Sequence, residues 1–165
     1  MILLYRIKDF CLKKVYTSNN KIIGIVDDIY LDIKNNKITG LKVYDSRMFS
    51  KKNFIDINKI ILDDSKIIAL AGEKREELCF ENIKLMEVYD KEKRLKGVVE
   101  DILIDDKFNI AAIIVSSGII NNILEGKEIL LMSECEYMNK YILFKGKTKI
   151  LLKTLPHSIN RNYDI

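Results

Sequence analysis

The sequence predicts an all-β protein made of two small antiparallel β-barrels in tandem, and three observations lead there. Runs of Ile and Val are broken throughout by Asp, Asn, Lys and Gly, which is the punctuation of strands and turns. The stretch VYTSNNKIIGIVDDIYLD, Val15–Asp32, returns as VYDKEKRLKGVVEDILID, Val88–Asp105, at an offset of 73 residues. The composition is 48% hydrophobic and 32% charged with one proline, which supplies side chains for cores and excludes a disordered chain.

Seven of the eighteen repeated positions are identical: Val15/Val88, Tyr16/Tyr89, Gly24/Gly97, Val26/Val99, Asp28/Asp101, Ile29/Ile102 and Asp32/Asp105. Internal duplication is the economical explanation. It divides the chain into a first module over 1–76 and a second over 77–165, each of a size that suits a small domain.

In the first module, Ile22 to Leu31 reads as a strand, DIKNNK as a turn and ITGLKVY as the returning strand of a hairpin. Short strands are expected at Phe54–Ile57 and Ile67–Leu70. The second module repeats this with LKGVVEDILI, the turn DDKFN and IAAIIV, followed by strands at Glu128–Met132 and Tyr141–Phe144. Gly24 and Gly97 stand inside strands without the further glycines of a phosphate-cradling loop, so both are structural candidates, marking bends that let a small sheet curl.

A Val, a turn, then Gly-x-Val-x-Asp-Ile and a closing Asp before a turn and an apolar strand resembles the PRC-barrel domain, over about 5–70 and again over about 80–145. Members follow the hairpin with an Ile-Pro pair, where this chain has Ile55-Asp56 and Ile129-Leu130. The family shares no catalytic residues, so the resemblance implies a non-enzymatic adaptor or assembly factor, with a ribosome- or RNA-associated maturation factor as the alternative branch. Its small members in spore-forming bacteria extend the implied roles to sporulation.

The residues themselves offer little chemistry. MILLYRIKDF is broken by Arg6, Lys8 and Asp9, so it lacks the apolar core of a signal peptide, and the longest clean apolar run, Ile110 to Val115, is far short of a spanning helix. Cys11, Cys79 and Cys135 are odd in number and widely spaced, which fits a reducing cytoplasm and neither a disulfide scaffold nor a zinc site. The single histidine, His157, has no partner pattern, and Gly146-Lys147-Thr148 lacks the upstream glycine of a phosphate loop, Tyr141 standing in its place. The acidic pairs Asp27-Asp28, Asp63-Asp64 and Asp105-Asp106 read as turn-forming or solvated, because strand neighbours point to opposite faces. Tyr5, Tyr16, Tyr44, Tyr89 and Tyr141 read as barrel walls set apart from the basic clusters. No catalytic, cofactor or metal-binding residue is therefore expected.

Two features do suggest a surface. Ile110 to Val115 is apolar on both faces and leads into GIINNILEG, so Val115, Ile119, Ile120, Ile123 and Leu124 are candidate contacts for a protein partner, for self-association, or for the other module. The overall charge of +4 arises from residues 140–162, which hold six basic and no acidic side chains. Lys145, Lys147 and Lys149 are there the candidate nucleic-acid contacts.

Overall fold

Glycine placement and turn chemistry set the architecture of this computed structural model, which describes residues 4–44, 54–63, 66–69, 78–119, 122, 125–148 and 150–152. The first half contributes β1 (Leu4–Arg6), β2 (Lys14–Tyr16), β3 (Ile22–Asp32), β4 (Lys37–Tyr44), β5 (Phe54–Asp56), β6 (Ile60–Asp63) and β7 (Lys66–Ala69). The second contributes one helical turn, α1 (Phe80–Ile83), then β8 (Glu87–Tyr89), β9 (Leu95–Asp105), β10 (Ile110–Ser116), β11 (Lys127–Leu131), β12 (Cys135–Tyr137), β13 (Tyr141–Phe144) and β14 (Ile150–Leu152). Among the described residues no helix is long and apolar enough to cross a membrane.

The strands form two sheets. The smaller runs β5-β4-β3-β2-β7-β6, and the larger runs β12-β13-β8-β9-β10-β11-β14. The two long hairpins, β3–β4 and β9–β10, end in the closing Asp of the repeated motif. Asp32 accepts from the backbone and side-chain N–H of Asn35, and Asp105 accepts from Lys107 N–H and from the backbone and side chain of Asn109. A short acidic side chain that bonds the backbone ahead of it is what reverses a chain here.

Pairing registers repeat at the sequence offset. Val15 opposes Gly24 and Val88 opposes Gly97, with the register slipping at the next residue in both pairs. The glycines stand where backbone approaches backbone. A Cβ at Gly24 would strike the Tyr44 carbonyl and the Val43 side chain, and one at Gly97 would strike the Ser116 carbonyl. Gly97 also has φ of +149°, which side-chain-bearing residues rarely adopt.

Closed barrels, which the sequence predicts, are not what forms. The ladders end at β5 and β6 in the smaller sheet and at β12 and β14 in the larger, and no described pairing joins those ends. The physical reason is that the free edges of the long strands are taken by the opposite half. Leu4, Tyr5 and Arg6 pair with Asp105, Ile104 and Leu103 of β9. The segment 73 residues on does the converse: Cys79 bridges Tyr30 of β3, and Leu31 N–H donates to the Leu78 carbonyl at 2.7 Å. The hairpin turns join too, Ile38 N–H donating to Phe108 and Ile110 N–H to Asn36. One apolar core therefore runs through both halves, from Ile7 and Val15 to Ile142 and Phe144. It covers β10 on both faces: Ala112, Ile113, Ile114 and Val115 are all buried within the chain.

A side chain at Gly97 should be costly on both counts, collision and φ. We expect Gly97→Val to lower the free energy of unfolding by about 2–4 kcal/mol, read by urea denaturation. A midpoint equal to that of the wild type would remove the bend as the reason for glycine.

Candidate functional site at the junction of the halves

A strand of regular pleat would send Asp27 and Asp28 to opposite faces. Both long strands instead carry an extra residue at this point. In β3 the register jumps from Val26 to Asp28, and in β9 from Val99 to Asp101, so Asp27 and Glu100 are the extra residues of two bulges. The bulge re-aims the side chains, and all four carboxylates line one cavity of about 510 Å³ with Arg6, Lys8, Cys11, Glu81 and Lys84. This corrects the expectation that adjacency keeps Asp27 and Asp28 from sharing a site and that both are solvated: Asp28 is buried, while Asp27 is exposed.

Asp28 and Asp101 are 6% and 3% exposed. Each uses one oxygen locally and the other across the junction. Asp28 Oδ1 accepts from Ile29 N–H at 2.8 Å, while Oδ2 accepts from Glu81 N–H at 2.9 Å, holding the first turn of α1. Asp101 Oδ1 accepts from Ile102 N–H, while Oδ2 accepts from Arg6 Nε–H at 2.8 Å. The extra residues are paired as well. Lys42 binds Asp27 at 3.1 Å, Lys127 binds Glu100, and Arg6 Nη2 lies 4.0 Å from Glu100. The side chains of Lys8 and Lys84, both exposed, make no hydrogen bond or ion pair among the described residues.

Burial dominates the acid–base chemistry. It raises the Asp28 carboxyl above the ordinary aspartate range, against the two backbone donors that lower it. It raises the Cys11 thiol, helped by Asp28, Asp101 and Asp27, and the Cys79 thiol, helped by Asp28. Burial with Glu134 pushes Cys135 up to about 12. These thiols are protonated at neutral pH and poor nucleophiles. Among the described residues no three His, Cys, Asp or Glu side chains are grouped as a metal ion requires.

Two residues next in sequence to lining residues of the cavity form an unusual pair. Leu12 follows Cys11 and Leu85 follows Lys84, and both leucines are exposed, by 82% and 68%. Both also hold left-handed backbone, φ of 68° and 66°. Their N–H groups are fixed on the carbonyls of Val26 and Val99, which forces that reversal after the turns at Ile7–Asp9 and Phe80–Ile83. A branched side chain there costs roughly 1–2 kcal/mol relative to glycine. Sequence reading missed these residues, since nothing in a lone Leu announces its φ; only their 73-residue spacing hinted at a shared role.

The sequence candidates are placed elsewhere. Val115 is 1% exposed inside β10, so its side chain has no surface to offer a partner. Ile119 is 80% exposed, and Ile120, Ile123 and Leu124 lie outside the described residues. Lys145 is exposed but pairs with Glu136 at 2.5 Å, Lys147 is exposed, and Lys149 lies outside the described residues. Gly24 and Gly97 sit at the bends, away from the cavity lining.

The family model described as PRC-barrel domain matches residues 4–76, the half that spans β1 to β7. No curated protein matches the chain.

Two outcomes test the junction. Arg6→Ala and Asp101→Asn should each destabilise and should not add, with a coupling of about 1–3 kcal/mol in a double-mutant cycle; additive losses would mean the contact is idle. Asp28 holds its proton more tightly folded than unfolded, so its contribution is complete below the ordinary value near 4 and is lost as pH rises through the folded value. The cost of Asp28→Asn in urea titrations should therefore be largest near pH 4 and shrink as pH rises. A cost that grows with pH would contradict the desolvation of this carboxyl.

Proposed function

We propose that the chain is a non-enzymatic adaptor that engages a protein partner through the face where its two halves meet. The observation that carries this reading is the pair of exposed, left-handed leucines, Leu12 and Leu85, each next in sequence to a residue that lines the charged cavity. Glycine would fit that backbone at lower cost, and an exposed leucine contributes little to folding. A side chain that adds this cost and lies mostly in solvent is accounted for by contact with something outside. Two apolar anchors beside unpaired Lys8 and Lys84 and a ring of carboxylates match the anatomy of a protein interface, an apolar centre with a charged rim. The same reading draws support from the first half's match to the PRC-barrel domain, a small domain often involved in protein interactions.

The reading treats the two halves as copies of one module. It is supported by the shared registers, by the paired bulges, and by left-handed residues at Leu12/Leu85 and Asn20/Lys93. It leaves the chain without a reaction of its own, since the junction carboxylates are occupied by partners and the thiols are protonated. A cytoplasmic setting suits those three free thiols.

The test is a substitution that improves the backbone while deleting the anchors. Leu12→Gly with Leu85→Gly should leave the melting temperature unchanged or raised, and should abolish capture of the partner that the wild-type chain retains after crosslinking in its native cell. Undiminished capture by the double variant would refute the docking face. A melting temperature lowered by several degrees would show instead that the leucines hold the fold.

A further inference from the structure

The outer face of β8 and β13 carries a second site, remote in sequence pattern from the junction. These strands run parallel, with Glu87 opposite Tyr141 and Tyr89 opposite Leu143. Val88 and Ile142 between them are fully buried, so Glu87, Tyr89, Tyr141 and Leu143 share the outward face. The rings of Tyr89 and Tyr141 meet edge to face, with centroids 5.6 Å apart and planes at 85°. Together with Lys91, Lys93 and Lys140 they line a cavity of about 460 Å³. The sequence reading set these tyrosines apart from the basic residues; strand pairing brings them together.

Three details show that this is more than a solvated face. Lys91, Lys93 and Lys140 are exposed and make no side-chain hydrogen bond, ion pair or ring contact among the described residues. They flank the rings at both ends, Lys140 directly before Tyr141 and the other two in the turn after Tyr89. The first half lacks the arrangement. There Ile67 pairs with Val15 as Ile142 pairs with Val88, and the residue before it, where the second half has Tyr141, is Lys66, whose Nζ sits 5.5 Å from the ring centroid of Tyr16, so that ring is covered by the chain's own cation. In the second half an aromatic ring replaces that cation, and the cations stand around the pair. Glu87, the one acid of the lining, is engaged by the Tyr89 hydroxyl, which donates to it at 2.8 Å.

We propose that this face binds a single-stranded polynucleotide, its bases stacking on Tyr141 and Tyr89 and its phosphates meeting Lys91, Lys93 and Lys140. Such a strand presents both chemistries in alternation, flat rings and repeated anions, and sequence-tolerant stacking on aromatics beside basic groups is the usual means of holding it. An acidic peptide would use the lysines and leave the rings idle. A duplex keeps its bases inside its own stack.

Fluorescence anisotropy with a labelled single-stranded RNA of about 12 nucleotides tests this on the full chain. We expect saturable binding with a log–log salt slope of about −2, as three phosphate contacts on a single strand give. Tyr141→Leu should weaken binding about 5- to 150-fold with an unchanged slope, and Tyr141→Phe should retain it, which separates loss of the ring from loss of the fold. Joint replacement of Lys91, Lys93 and Lys140 by Gln should flatten the slope. Competition by single-stranded DNA of the same sequence supports the same face and places both strands among its ligands. No binding at low salt overturns the proposal, as does wild-type affinity in Tyr141→Leu. Equal competition by duplex RNA or by phosphatidylserine vesicles would also overturn it, by reducing the face to a bare cationic surface.

Discussion

Two buried carboxylates hold this protein together. Asp28 and Asp101 are taken out of water, and an isolated carboxylate there would be expensive, so each must be fully hydrogen-bonded to persist. Each finds one donor in its own strand and one in the opposite half. These carboxyl groups find both of their partners only when the halves are joined, and the joining places β1 on β9 and the Leu78–Cys79 segment on β3. Exchanged strands, the shared core and the cavity all follow from that requirement.

The same constraint explains how the surface is arranged. Bulges at Asp27 and Glu100 turn the acidic motif inward, and the turns at Ile7–Asp9 and Phe80–Ile83 close the rim over it. Reversing the chain after those turns forces Leu12 and Leu85 into left-handed backbone and out into solvent. The docking face proposed for these leucines would thus be a by-product of the junction geometry. On the outward face of β8 and β13, Tyr141 stands where the first half has Lys66, a local difference that leaves a ring beside its neighbouring lysines.

Much of the fold was legible because it rests on local chemistry. The long hairpins follow from Ile and Val runs around Asp/Asn turns, and Gly24 and Gly97 from their isolation inside strands. What escaped was long-range. Nothing local in Leu4–Arg6 tells that it pairs with the opposite half, Leu4 with Asp105 rather than with its own half, so closed barrels were the natural expectation. Asp27-Asp28 looked solvated because a bulge cannot be seen in a pattern of period two. Val115 looked available because the covering of β10 comes from the whole chain, and Tyr89 and Tyr141 looked solitary because β8 and β13 pair in parallel across a long connection.

Reciprocal exchange of strands should make the two halves one cooperative unit. Scanning calorimetry of the full chain tests this most directly. A single transition, with van't Hoff and calorimetric enthalpies in agreement, is the predicted result. Two separable transitions, one for each half, would show that the halves fold independently and that the junction does not hold the structure together.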